Sequence, residues 1–366
     1  LVEGLTGARR GAVDTLRSPG TRSVIWFTIW QALASTALTF IVALPLTAVM
    51  ANVEFRGRTL VRALVTIPFV LPTVVVGAAF LATADHLGLE DGPFALRRSV
   101  TAIIVAHVFF NVAVVVRTVG GYWSQLSRDD ERAARLLGSS PLQAFFGITL
   151  RRLRPALAAA AAIVFLFTFT SFGVVLILGG SRQRTIETEI FRHAVSRTDF
   201  GTAALLSIVQ LVAVLALVVI NNRLRGRVSR PDRLADRARP LEGAAARIGA
   251  AAIVVATLAL LAIPVASLVI ESLTTDDGLT WNHYRGLTDR PSVLTVSPIR
   301  AIANSLGLAV VATLIASVVG AGAAFAVAFG TKPLSRMVDT GYLLPLGTSA
   351  VTLGFGILIT FDRGLL

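Results

Sequence analysis

Stretches of about twenty apolar residues recur along this chain, separated by short polar connections, and that spacing restricts the fold more than any other feature. They run from about Val24 to Val53, Leu60 to Ala82, Ser99 to Val119, Ala156 to Ile177, Thr202 to Ile220, Ile248 to Ile270, Ile302 to Phe329 and Val338 to Phe361. Each is long enough to cross the hydrocarbon of a bilayer as a helix. Only helices and closed barrels satisfy their backbone groups in lipid, and the strict alternation of a barrel strand is absent. The expected fold is therefore an all-α polytopic membrane protein with about eight transmembrane helices. Its 15% charged residues agree with that, against roughly 25% for a soluble domain.

The net charge of +13 does not gather in one patch, so it gives no reason to expect nucleic acid as a partner. It sorts instead by alternate loops. With the connections around Arg56, Arg128 to Arg154, Arg223 to Arg247 and Lys332 to Arg336 on one side, that side carries a net +12 and the other +1. The basic side is expected to be cytoplasmic. This orientation places residues 1–23 outside the cytoplasm, after a first helix that the sequence lacks; Arg9, Arg10, Arg17 and Arg22 run against the rule there. With no cysteine and four scattered histidines, no metal site is expected, and no GxxxxGK[ST] phosphate loop occurs.

Residues 221–247 are rich in Arg, Asp and Pro with almost no apolar periodicity, and read as a cytoplasmic basic linker between a first half, 24–220, and a second, 248–366. Such a segment also suits anionic lipid. A sparse internal repeat supports two halves. Pro68 and Gly77 recur as Pro345 and Gly354 at a constant offset of 277, and the loop with Arg56 and Arg58 falls on that with Lys332 and Arg336. At this offset the second half is expected to stop before its counterpart of Gly138.

One polar stretch, Asp129 to Pro155, lies between two apolar segments on the basic side. Asp129, Asp130 and Glu131 suit the start of a helix, Gly138-Ser-Ser-Pro141 breaks it, and Leu142 to Leu150 returns as a second short helix. Spacing alone equally allows an interfacial amphipathic hairpin. Ala133, Ala134, Gly138, Ile148 and Leu150 stand where the stretch resembles the coupling-loop signature of ABC importer permeases, E-A-A-x-x-x-G followed after nine residues by I-x-L-P. Arg132 occupies the Glu place, with Glu131 its neighbour, and Arg151 the Pro place. The runs Ala106 to Arg117, Ser171 to Gly180, Thr185 to Ala194 and Leu343 to Ile359 are similar to stretches of two-domain permeases for thiamine and, more loosely, ferric iron.

The resemblance implies a permease of the bacterial inner membrane that is not itself an enzyme and carries no cofactor. ATP and Mg would belong to a cytoplasmic ATPase dimer gripping the coupling loop. A periplasmic or lipoprotein binding protein would deliver the solute, thiamine or alternatively ferric iron. A different class, an ion-gradient-driven secondary transporter, is disfavoured because Asp and Glu avoid the span interiors. Candidate pathway residues are His107 and Asn111, four apart in the third span, and Thr170 and Ser171, near the middle of the fourth. Interhelical hydrogen bonds account for such residues equally well. Glu187 and Glu189, with Arg184 and Arg192, read as an outer loop that is either solvated or receives the binding protein.

Overall fold

The computed structural model describes residues 12–92, 95–127, 129–180, 182–225, 243–275, 278–289, 295–331, 333–335, 337–338 and 350–361. It divides into two compact units, Leu1–Ser267 with Thr348–Leu366, and Leu268–Gly347. The first is a helical membrane unit. Helix α1 (Ala12–Arg17) leads into α2 (Pro19–Asn52), whose 34 residues begin at a Ser18 cap, with Pro19 in the first turn where its missing N–H costs nothing. At about 1.5 Å per residue α2 exceeds the roughly 30 Å of hydrocarbon. It therefore starts five residues before the apolar stretch and carries Arg22 within it.

The second expected span is a bent pair. Helix α3 (Arg58–Val70) and α4 (Thr73–Leu87) meet at 101°. Pro68 removes a backbone donor from the last turn of α3, and Pro72 restricts Leu71 to the extended conformation it adopts (φ −65°, ψ 139°), so the helix cannot run through. Helix α5 (Val100–Trp123) is the best-buried span, and it packs along α2. Ala32, Ser35, Thr39, Ala43 and Thr47 give α2 a buried strip of small side chains on which α5 can lie close. Phe80 of α4 and Phe109 of α5 meet edge to face at 5.7 Å in the same core.

After α6 (Asp129–Leu136), a continuous helix α7 (Pro141–Phe169) crosses the unit, with a π-helical turn at Phe145–Thr149. The fourth apolar stretch was expected to be helical to Ile177; instead α7 stops at Phe169 and a shorter α8 (Gly173–Leu178) follows. A side chain on Gly173 would strike Thr73, and a Cβ on Gly77 would lie 2.8 Å from Ile177, so these glycines let α4 and α8 cross. Helix α9 (Ile186–Phe191) continues as a π-helical turn, Arg192–Ser196, before α10 (Phe200–Arg225).

Helix α11 (Ala244–Leu273) buries Thr257, Leu261, Pro264 and Ser267. The segment expected as a linker is thus helical at both ends, α10 reaching Arg225 and α11 starting at Ala244; residues 226–242 lie outside the described ones. The second unit holds the antiparallel pair β1 (Thr274–Thr275) and β2 (Gly278–Leu279), the turn helix α12 (Asn282–Arg285) and the 32-residue α13 (Pro298–Phe329). Of the last expected span, α14 (Ala350–Phe361) in the first unit is described and residues 339–349 are not. Among the described residues six helices are long and apolar enough to span a membrane, or seven counting the bent pair as one.

Candidate coupling loop and buried polar seam

Gly138 ends α6 in the left-handed conformation at φ 94°. Ser139 N–H donates to Ala134 O at 3.0 Å and Gly138 N–H to Arg135 O at 3.1 Å, the paired bonds of a Schellman stop. Ser140 then opens α7 with a reciprocal capping box. Gln143 N–H donates to Ser140 Oγ at 3.3 Å, Ser140 N–H donates to Gln143 Oε1 at 2.9 Å, and Pro141 occupies the first turn. Stop and start are therefore both encoded within six residues. The expected second short helix, Leu142 to Leu150, is instead the N-terminal end of α7 itself, because neither the π-helical turn nor Pro155 interrupts its axis.

Two ties join α6 to that end. Glu131 accepts a hydrogen bond from Thr149 Oγ at 2.9 Å, and Arg152 donates to Asp130 at 3.2 Å and to Ser127 O at 3.2 Å. Arg132, in the place where the signature has Glu, pairs with Asp129 at 3.2 Å. Glu131 thus faces inward, beside a cavity of about 700 Å³ walled by Phe40, Trp123, Phe145 and Phe146. Ala133 and Gly138 are exposed, Ala134, Ile148 and Leu150 half-buried. Leu136 and Leu137, both 88% exposed, with Leu142 and Phe146 form an apolar tip on an otherwise charged surface.

The pathway candidates separate into two pairs. His107 and Asn111 are 2% and 3% exposed, turned into the α2–α5 contact. His107 Nδ1 shares a 3.1 Å hydrogen bond with Ser35 Oγ, and Asn111 donates back to His107 O at 2.8 Å. Thr170 and Ser171 are not mid-span; they occupy the break between α7 and α8, where Thr170 Oγ donates to Leu166 O at 2.9 Å. Gln31, absent from the sequence candidates, bridges the gap by donating to Thr168 O at 2.9 Å from one turn before Ser35.

This seam continues outward. Ile186 N–H donates to Thr28 Oγ at 3.0 Å, and the fully buried Glu187 accepts from the Gln210 amide of α10. Gln31 and Gln210 were legible as lone amides inside apolar spans. The expectation of a solvated loop at Glu187 and Glu189 is corrected: both are buried, because the two turns of α9 pack between α2, α10 and α14. Glu189 contacts His193 at 3.4 Å, Arg184 at 3.2 Å and Arg192 at 3.4 Å. The His193 hydrogen bond, helped by both arginines against the cost of burial, lowers its pKa to about 2. His193 also meets Asp199 at 3.2 Å, beside an outer cavity of about 490 Å³ that includes Asp14 and Arg197.

Residues 43–230 match the model of the family described as binding-protein-dependent transport system inner membrane component. The chain is 30% identical, over 90% of its length and 61% of the relative's, to a thiamine transport system permease protein of Brucella suis. It is 31% identical, over 56% of its length and 80% of the relative's, to a molybdenum transport system permease protein of Mycobacterium tuberculosis. A sulfate transport system permease protein of Salmonella typhimurium is 29% identical over 59% and 81% respectively. The chain spans about three fifths of the length of the Brucella thiamine relatives and about half that of the Salmonella typhimurium one. With a matched segment of about half the chain that contains the Gly138 loop and its flanking spans, this multi-pass inner membrane protein belongs to the binding-protein-dependent transport system inner membrane component family.

Proposed function

We propose that the chain is the transmembrane subunit of an ATP-driven importer, and that its solute is thiamine. The observation carrying the first part is the segment around Gly138: an exposed apolar tip on a helix end that hydrogen bonds tie directly to a membrane span. A cytoplasmic ATPase dimer, holding ATP and Mg, docks on this tip. Its movement is passed through α6 and the Glu131–Thr149 and Asp130–Arg152 ties to α7, and the helices rock between inward and outward access. An extracytoplasmic binding protein delivers the solute. Residues 24–220 form one permease half and 248–366 belong to a second.

Thiamine is supported by the extent of the similarity, 90% of this chain for the Brucella thiamine relative and 68% for that of Salmonella typhimurium, against 56% and 59% for those named for molybdenum and sulfate. The ferric iron alternative draws no support from these relatives. A secondary transporter has no use for an ATPase-docking tip. Replacing Gly138 by Trp is expected to abolish uptake and co-purification of the ATPase while membrane insertion persists. Retained co-purification would remove the coupling assignment. Stimulation of the assembled ATPase by thiamine-loaded, but not molybdate- or sulfate-loaded, binding protein tests the solute.

A further inference from the structure

At the cytoplasmic end of α2 a groove of about 480 Å³ opens between α2, α3 and the first turns of α11. Asn52 of α2 and Glu131 line one neighbouring cavity, which places the end of α2 at the same membrane face as the α6 loop. The walls are apolar, with Val49, Val53 and Val61 buried at the back and Val254 and Val255 on the α11 side. Among the described lining residues the charged groups are Arg56 from the α2–α3 connection, Arg247 from α11, and Glu54. Arg58 lies beyond them, donating from Nε to Met50 O at 3.1 Å, so that its guanidinium covers the negative end of the α2 dipole. Arg62 follows one turn later on α3.

We propose that this groove is a binding site for one anionic phospholipid, its acyl chain along the valine walls and its phosphodiester between Arg56 and Arg247. Among the described residues the groove carries two arginines and one glutamate, with two further arginines behind, a surplus that favours an anionic over a zwitterionic headgroup. Basic pockets between spans on the cytoplasmic side are suited to such headgroups. The apolar walls separate a lipid from a free phosphate, which leaves them uncovered. A soluble peptide fits poorly, since the groove opens at the level where spans enter the bilayer.

The test is a titration of the detergent-purified chain with dioleoylphosphatidylglycerol, dioleoylphosphatidylcholine and glycerol 3-phosphate, read by native mass spectrometry. Phosphatidylglycerol is expected to bind at one saturable site and the other two not. With each surface arginine contributing about 1 kcal/mol, Arg56→Gln with Arg247→Gln is expected to weaken that binding roughly 25-fold. Val255→Trp, at a position already 64% exposed, fills the groove without disturbing the core and is expected to block the site even if the double variant folds poorly. Equal binding of phosphatidylcholine, full retention by both variants, or saturation by glycerol 3-phosphate would each overturn the proposal.

Discussion

Gly77 and Gly354 stand 277 residues apart, the offset of the expected repeat, but among the described residues another helix crosses only at the first. A Cβ on Gly77 would come within 2.8 Å of Ile177, whereas at Gly354 the added atom meets open space. Gly77→Ala is therefore expected to destabilise the protein by about 1–3 kcal/mol through overpacking. Gly354→Ala, in a helix with room, is expected to be neutral or to stabilise by up to about 1 kcal/mol. Thermal unfolding in detergent compares the two, and equal losses would remove the crossing explanation. Glu189 makes a second residue-scale prediction. Its pKa falls from an ordinary 4.5 to about 2 in the fold, so the stability it contributes is complete above pH 4.5 and is lost as pH drops toward 2. Glu189→Gln is expected to cost about 1–2 kcal/mol at neutral pH, solvent screening reducing the full effect, and to flatten the stability profile across that window. An unchanged acid profile would show that the contacts with His193, Arg184 and Arg192 do not stabilise the fold.

Along a single element, the segment from α6 to α7 shows which features a sequence can carry. Gly138, Ser140, Pro141 and Gln143 are local signals, each acting on backbone within three residues, and the turn appears where they stand. The continuity of α7 from Pro141 to Phe169 was not legible. The short helix was expected to end at Leu150 and the span to begin at Ala156, but the chain stays helical through residues 151–155, Pro155 included. Nor could spacing show which way Glu131 faces, since that depends on Thr149, eighteen residues on. The bond implies that α6 and α7 move as one body. Replacing Glu131 by Ala with Thr149 by Val is expected to preserve insertion and ATPase docking but to lower coupling, read as ATP hydrolysed per solute imported, at least severalfold. Coupling at the unaltered level would show that the tie is not needed for transmission.

For the molecule as a whole, legibility follows from where the information resides. The class and the places of most spans were readable, because lipid requires about twenty apolar residues per crossing; of about eight expected, six or seven are found among the described residues. The burial of α9 was not readable, because it arises from neighbouring helices; the bend, which Pro68 and Pro72 dictate locally, falls inside what was expected as one continuous span. At the offset of 277, the buried strip Ala32, Ser35, Thr39, Ala43 and Thr47 of α2 falls on the small residues Ala309, Ala312, Ala316, Gly320 and Ala324 of α13, none of which is buried among the described residues. Orientation remains an inference from charge, +12 against +1, and it can be tested directly because the chain has no cysteine. A single Cys at Leu137, on the exposed tip, is expected to escape a membrane-impermeant maleimide on intact cells and to react in inverted vesicles. Ser196→Cys, exposed beside the Glu189 cluster at the opposite ends of the spans, is expected to react on intact cells only. The reverse pattern would invert the protein, place the apolar tip outside the cell and leave the Gly138 loop with no ATPase to meet.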